Sequence, residues 1–143
     1  AYSRAEKEIS QILEEYPSIQ AVIDLHRDGV NENTHLVTEI NGKPMARFMF
    51  FNGLSRTKKN GPIDYLYNPY IEDNLALTLQ LKLLCDQYYP GLSRNIYLKS
   101  LRYNLHLSDK ALLIEVGAQT NTLQEILNTM EPLSVLLAKV FGV

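Results

Sequence analysis

One acidic residue stands out in the sequence because it interrupts an apolar run. Glu115 lies within residues 111–117, where every other residue is apolar or glycine. A carboxylate is costly to bury without a partner, so this pattern predicts a buried ion pair, a strand end that reaches water, or a functional acid/base. Open α/β sheets build their sites at the carboxyl ends of strands, and burial raises a carboxyl pKa toward the range of a general base. We therefore predict that Glu115 is a catalytic acid/base.

A histidine occupies a similar position in the first half of the chain. His26 follows the mostly apolar segment 21–25, where a predicted strand gives way to a loop. A single histidine is often structural, but the neutral imidazole is also the commonest zinc ligand. Asp24 or Asp28 could orient its second nitrogen, as carboxylates do beside metal-bound histidines. The sequence makes His26 a candidate metal ligand.

Two further polar residues are candidates for binding a substrate. Arg94 ends the turn at residues 89–94, where it is either a solvated residue after a helix or a partner for a substrate carboxylate. Asn121 precedes the last predicted helix and is either part of its cap or a substrate contact. We predict a substrate-binding role for both.

The elements that would position these residues alternate between helices and strands. A capping-box pattern at Ser3 and Glu6 predicts the start of the first helix, and a second at Thr122 and Glu125 predicts the start of the last one, which Pro132 should kink or split. Asn41-Gly42 between strand-like runs predicts a β-hairpin. The predicted strands are 19–25, 34–40, 45–51, 95–101 and 112–116, and the other long helix is 70–88.

This order of elements predicts one domain over residues 1–143. We expect a three-layer α/β fold with a mixed, mostly parallel central sheet that is flanked by helices and contains one hairpin. Segment 45–51 is almost entirely apolar, which indicates a central strand.

Composition narrows the classes of function. The net charge of −2 gives no reason to expect a nucleic-acid partner, because phosphate binding needs a concentrated basic surface. The single cysteine, Cys85, excludes an intramolecular disulfide, and no apolar run approaches the roughly 18 residues of a membrane span. No G-x-S-x-G elbow supports serine hydrolase chemistry.

Several segments together resemble one known family. Residues 23–29 (IDLHRDG), 36–42 (LVTEING), 89–94 (YPGLSR), 102–104 (RYN) and 113–117 (LIEVG), with Asn121-Thr122, closely resemble stage II sporulation protein P and occur in its order over nearly the whole chain. The resemblance implies a relation to zinc-dependent N-acetylmuramoyl-L-alanine amidases, which use a His-Glu-His zinc site and a catalytic Glu. It makes His26 similar to the last zinc-binding His, Glu115 to the catalytic Glu, and Arg94 to an Arg near the peptide groove.

The same resemblance implies a cellular role. The family is exported from a spore-forming Gram-positive cell, anchored in the membrane by an N-terminal segment, and acts on peptidoglycan during engulfment of the forespore. The expected substrate is the peptidoglycan stem peptide. The expected partner is stage II sporulation protein D, which cleaves glycan strands.

One departure from the family pattern affects the metal site. The family's first zinc His and its Glu ligand precede the helix that opens this chain, and no other His lies upstream of His26. Since zinc sites use at least three protein ligands, we expect a domain truncated at its N-terminus, with an exposed sheet edge, no tightly bound zinc and no activity. The alternative is a non-catalytic module that binds peptidoglycan or a protein. Amidase and endopeptidase chemistry also remain alternatives, because both use the same machinery.

Overall fold

The computed structural model describes residues 2–143, which form helices on both faces of a mixed sheet. The elements in chain order are α1 Tyr2–Glu15, β1 Val22–Asp28, β2 Val37–Ile40, β3 Lys43–Ala46, β4 Phe48–Gly53, β5 Arg56–Thr57, β6 Gly61–Pro62, a 3₁₀ helix Asp64–Leu66, α2 Ile71–Tyr88, β7 Tyr97–Lys99, β8 Ala111–Ala118 and α3 Leu123–Phe141. The predicted layered α/β fold is confirmed.

The central sheet has four strands in the order β1-β8-β4-β7. β1 and β8 are parallel, β8 and β4 are antiparallel, and β4 and β7 are parallel. The sheet is therefore mixed and mostly parallel, as predicted. β8 is an inner strand with neighbours on both sides, which explains why its sequence is a nearly continuous apolar run.

Most of the core lies between the sheet and the two long helices. Phe48, Phe50 and Ile114 on the sheet pack with Leu81 of α2 and Leu136 of α3, and all five side chains are fully buried. This face of the sheet supplies most of the apolar burial that stabilises the fold.

The opposite face carries a smaller cluster and the first helix. Leu105 and Leu113 pack there with Phe51 and Tyr103. Tyr2 of α1 meets Tyr103 edge to face at 5.4 Å, but α1 itself has no buried residue. This thinly covered face leaves room for a site.

The hairpin forms as predicted, but the strand after it is divided. Asn41 and Gly42 have φ values of 52° and 76°, the positive angles of the expected turn. The single strand predicted at 45–51 breaks at Arg47, whose N–H donates to Leu36 O and whose carbonyl accepts from Gly117 N. These two long-range bonds direct β3 into a separate two-stranded sheet with β2 and β4 into the central one.

The two predicted helix starts have different outcomes. Thr122 and Glu125 form the predicted capping box. Ser3, however, lies inside α1, which begins at Tyr2, so its predicted capping role is wrong. Of the two outcomes predicted at Pro132, the split is wrong, because α3 runs through the proline with buried Thr129 and Leu133 on either side of it. A kink at Pro132 stays a prediction.

A helix that crosses a membrane needs about 20 consecutive, mostly apolar residues. Within residues 2–143 no helix combines the length and the apolar character that crossing a membrane requires.

Candidate active site

Strands β1 and β8 bring the two principal candidates together. In this parallel ladder His26 is the register partner of Glu115. Neighbouring strands lie about 4.8 Å apart and register partners project from the same face, so the imidazole and the carboxyl group share one face of the sheet. β1 continues through Asp28 because β8 offers pairing partners up to Ala118. His26 therefore lies within the strand, not beyond its end as the sequence suggested.

An aspartate holds the imidazole. Nε2 of His26 lies 2.7 Å from Oδ1 of Asp24, two residues earlier on the same strand face, and both side chains are about 40% exposed. The ring of Tyr2 stacks on the imidazole with 6.4 Å between ring centroids. The carboxylate fixes the orientation of the ring and leaves Nδ1 as the nitrogen that can bind another group.

An ion pair closes the site at the end of β1. Nη1 of Arg94 donates to Oδ2 of Asp28 at 2.7 Å, and Oδ1 of Asp28 accepts from the N–H of Gly29. The β1–β8 register shifts between His26 and Asp28, and Gly117 on β8 has a φ of 60°. Such bulges re-aim side chains next to sites, and this one accompanies the approach of Arg94.

Glu115 is the least satisfied group in the site. Its Oε2 is buried and accepts no hydrogen bond from any residue between 2 and 143. Burial raises the pKa of this carboxyl, and nearby Asp28 and Asp24 raise it further, whereas His26 and Arg94 act in the opposite direction. The net effect raises the pKa of Glu115, which is the direction that a general base requires.

The described residues do not complete a metal site. In the stretch from Tyr2 to Val143, no three His, Cys, Asp or Glu side chains converge as metal ligands would. His26 offers one ring nitrogen, whereas zinc takes at least three protein ligands. These residues by themselves therefore do not fit a zinc ion.

Asn121 is built into a structural network. Its side chain is buried; Oδ1 accepts from Ala118 N, and Nδ2 donates to Leu36 O and to Glu125 Oε2. This arrangement favours the capping alternative for Asn121. The hydrogen bonds of Asn121 do not reach Glu115, whereas Arg94 lies near enough to Glu115 to lower its pKa. Substrate contacts by Arg94 and Asn121 stay predictions.

The same network contains a second buried acid. Oε2 of Glu125 accepts from His35 Nε2 at 2.9 Å, from Asn121 Nδ2 at 3.0 Å and from Thr122 N at 2.9 Å. Burial would raise the pKa of Glu125, but these hydrogen bonds outweigh it and lower the pKa to about 2.

Two residues near the site were not among the sequence candidates. Tyr2 carries no pattern that could have indicated a role. Arg47 does carry such a pattern, because it is the one charged residue in the apolar segment 45–51. It lines a cavity with Met49 and Arg94.

Comparison with known proteins gives one family. A model of the family Stage II sporulation protein P matches residues 1–141. Stage II sporulation protein P of Bacillus subtilis (strain 168) is 30% identical over 131 residues, which cover 88% of this chain and 29% of that protein. The chain therefore spans less than a third of the curated relative's length. No solved structure matches the chain.

Proposed function

This chain belongs to the stage II sporulation protein P family, and we propose that it supplies the acid/base and one zinc ligand of a peptidoglycan hydrolase. Membership of the family implies a role in sporulation. The proposed reaction is hydrolysis of the amide between the lactyl group of N-acetylmuramic acid and the L-alanine of the stem peptide. An endopeptidase reaction at another amide of the stem peptide would use the same groups.

The proposal rests mainly on Glu115. A buried carboxylate oxygen without a partner is unusual in a folded protein and costs stability, so it calls for a functional explanation. This oxygen is Oε2 of Glu115, which pairs with His26 in the β1–β8 ladder on the thinly covered face of the sheet. A carboxylate oxygen that is not engaged by neighbouring residues can accept a proton and return it, which supports the assignment of Glu115 as the acid/base.

Glu115 would act twice in one turnover. Its carboxylate takes a proton from the attacking water, whose oxygen forms a bond to the amide carbonyl carbon. The same proton then passes to the leaving nitrogen of L-alanine as the C–N bond breaks, which yields a carboxylic acid and a free amine. The raised pKa suits both steps, because the group must accept and then release a proton.

We propose zinc as the cofactor of the intact enzyme, with His26 as one ligand through Nδ1 and Asp24 as the carboxylate that orients the ring. Bound zinc would supply Lewis acidity at the carbonyl. The other ligands would have to come from outside these 143 residues. For that reason we expect the chain alone to be inactive.

The cellular setting is part of the proposal. The substrate lies in the cell wall, so the enzyme would act outside the cytoplasm, anchored in the membrane, during forespore engulfment. Stage II sporulation protein D is the proposed partner, because a glycan-cleaving enzyme and an amidase remove complementary bonds of the same polymer.

The test is Glu115→Gln in the protein at its full natural length, supplied with zinc and purified peptidoglycan. New L-alanine amino termini would be labelled and quantified by mass spectrometry. We expect the rate to fall by about a thousandfold, the scale of general acid–base catalysis. The matched control is Glu131→Gln, since Glu131 is exposed and pairs with Lys43. A Glu115→Gln rate near wild type would refute the proposal, and wall binding by the wild type without cleavage would favour the non-catalytic module.

A further inference from the structure

A basic cavity lies directly beside Glu115. Its volume is about 340 Å³ and its walls are formed by Arg47, Met49, Ser93, Arg94, Asn95, Ile96 and Tyr97. Met49 of β4 is the antiparallel register partner of Glu115. The cavity therefore begins within about one strand spacing of the carboxyl group, on the side away from β1.

The charges in this cavity are predominantly positive. Arg47 uses only Nε within residues 2–143, where it donates to Gly91 O at 3.0 Å, so both of its terminal nitrogens remain available. Arg94 donates a hydrogen bond from Nη1 to Asp28, and its other N–H groups remain available. Of the two arginines, Asp28 pairs with Arg94 alone, and no acidic residue is among the described residues that line the cavity. The cavity therefore has a surplus of guanidinium donors, which are suited to binding a carboxylate.

The cavity on the other side of the site has a different character. It is lined mainly by apolar side chains of α1 and β1, among them Ala5 and Ile9, together with Tyr2, Asp24 and His26. None of the described residues that line it is an arginine or a lysine. A substrate with one anionic end would therefore be oriented across Glu115, with that end toward Arg47 and Arg94.

We infer that Arg47, together with Arg94, forms a subsite for a free carboxylate on the peptide side of the scissile amide, and that Arg47 determines specificity for that carboxylate. The inference rests on the proposed function, because it assigns a direction to the same substrate. A stem peptide carries an acidic residue next to its L-alanine. Binding of that carboxylate by Arg47 places the saccharide on the side of Tyr2.

The test compares two soluble substrates, N-acetylmuramoyl-L-alanyl-D-glutamate and its carboxamide analogue, with the full-length zinc-supplied protein. We expect wild type to prefer the free acid about tenfold in kcat/KM, the effect of one charge-assisted hydrogen bond. Arg47→Met should remove most of this preference by raising KM for the acid alone. Arg47→Lys should keep part of it, and Arg56→Met, at an exposed position away from the cavity, should keep all of it.

The outcomes separate this inference from the proposed function. Thermal melting identifies a variant that fails to fold, and the Arg47→Lys comparison then carries the test. Equal cleavage of both substrates by wild type would overturn the subsite and leave the hydrolase intact. If nothing is cleaved, the hydrolase fails, and the subsite is tested by NMR titration of the chain with N-acetyl-L-alanyl-D-glutamate. Saturable shifts of the Arg47 Nε–H signal would support it, and their absence would overturn it.

Discussion

Two acidic side chains only ten positions apart, Glu115 and Glu125, have opposite environments. Oε2 of Glu125 accepts three hydrogen bonds, and its pKa falls to about 2. Oε2 of Glu115 is buried and accepts none from the described residues, and its pKa is raised. The Glu125 carboxylate joins the segment before β2 to the loop before α3. The Glu115 carboxylate is held beside His26 at a cost in stability, which is the pattern expected where one acid serves the fold and the other serves chemistry.

Removing each carboxylate is the strongest test of this contrast. Glu125→Ala leaves three donors without their acceptor and opens the capping box, so we expect the free energy of unfolding to fall by about 3 kcal/mol. Glu115→Ala removes an unsatisfied group, and we expect a loss below about 1 kcal/mol. Urea unfolding followed by circular dichroism measures both. Equal losses would mean that Glu115 also stabilises the fold.

Gly117 lies between Glu115 and the hydrogen-bond network of Glu125, and a substitution at Gly117 should disturb that network. A Cβ at this position would lie 2.6 Å from Asn121 Oδ1 and 2.9 Å from Ala46 Cβ, at a φ of 60° that side chains rarely adopt. We expect Gly117→Ala to cost about 2 kcal/mol of unfolding free energy.

The control for Gly117→Ala is Gly29→Ala. A Cβ at Gly29 would meet no atom of residues 2–143 within 4 Å, and the φ of Gly29 is not positive, so we expect a change below about 0.5 kcal/mol. If both variants melt at the wild-type temperature, the close approach of Asn121 to β8 is not a constraint on the fold.

The sequence predicted the local elements around Glu115 and Glu125 better than the long-range contacts that these elements make. Local patterns were sufficient for the capping box at Thr122 and for the buried strand around Glu115. They could not show that His35, 90 residues away, completes the Glu125 network. The division of segment 45–51 depends on partners at Leu36 and Gly117, which no local pattern specifies.

For His26 and Glu115, too, the sequence indicated each residue but not that the two would pair. Each residue was recognisable from its place in or after a strand-like segment. The pairing itself depends on strand order, since β8 inserts between β1 and β4, which precede it in the chain. Strand order results from packing of the whole sheet, and so it is not readable from either segment.

The smallest expected effect is also the most direct comparison, because the two acids should make stability depend on pH in opposite directions. Glu125 has a lowered pKa in the fold, so its contribution is present above the ordinary value of 4.5 and is lost as the pH falls toward about 2. Glu115 has a raised pKa, so the unfolded chain releases this proton first and stability falls as the pH rises above 4.5.

Glu115→Gln isolates that second dependence, because the amide keeps the shape of the side chain and cannot ionise. At pH 7 we expect the variant to be more stable than wild type by less than about 1 kcal/mol, and at pH 3.5, where the wild-type carboxyl is protonated in both states, the gain should disappear. Urea unfolding at the two pH values measures the difference. A gain of equal size at both would show that the effect is one of packing, and that the free oxygen of Glu115 carries no electrostatic cost.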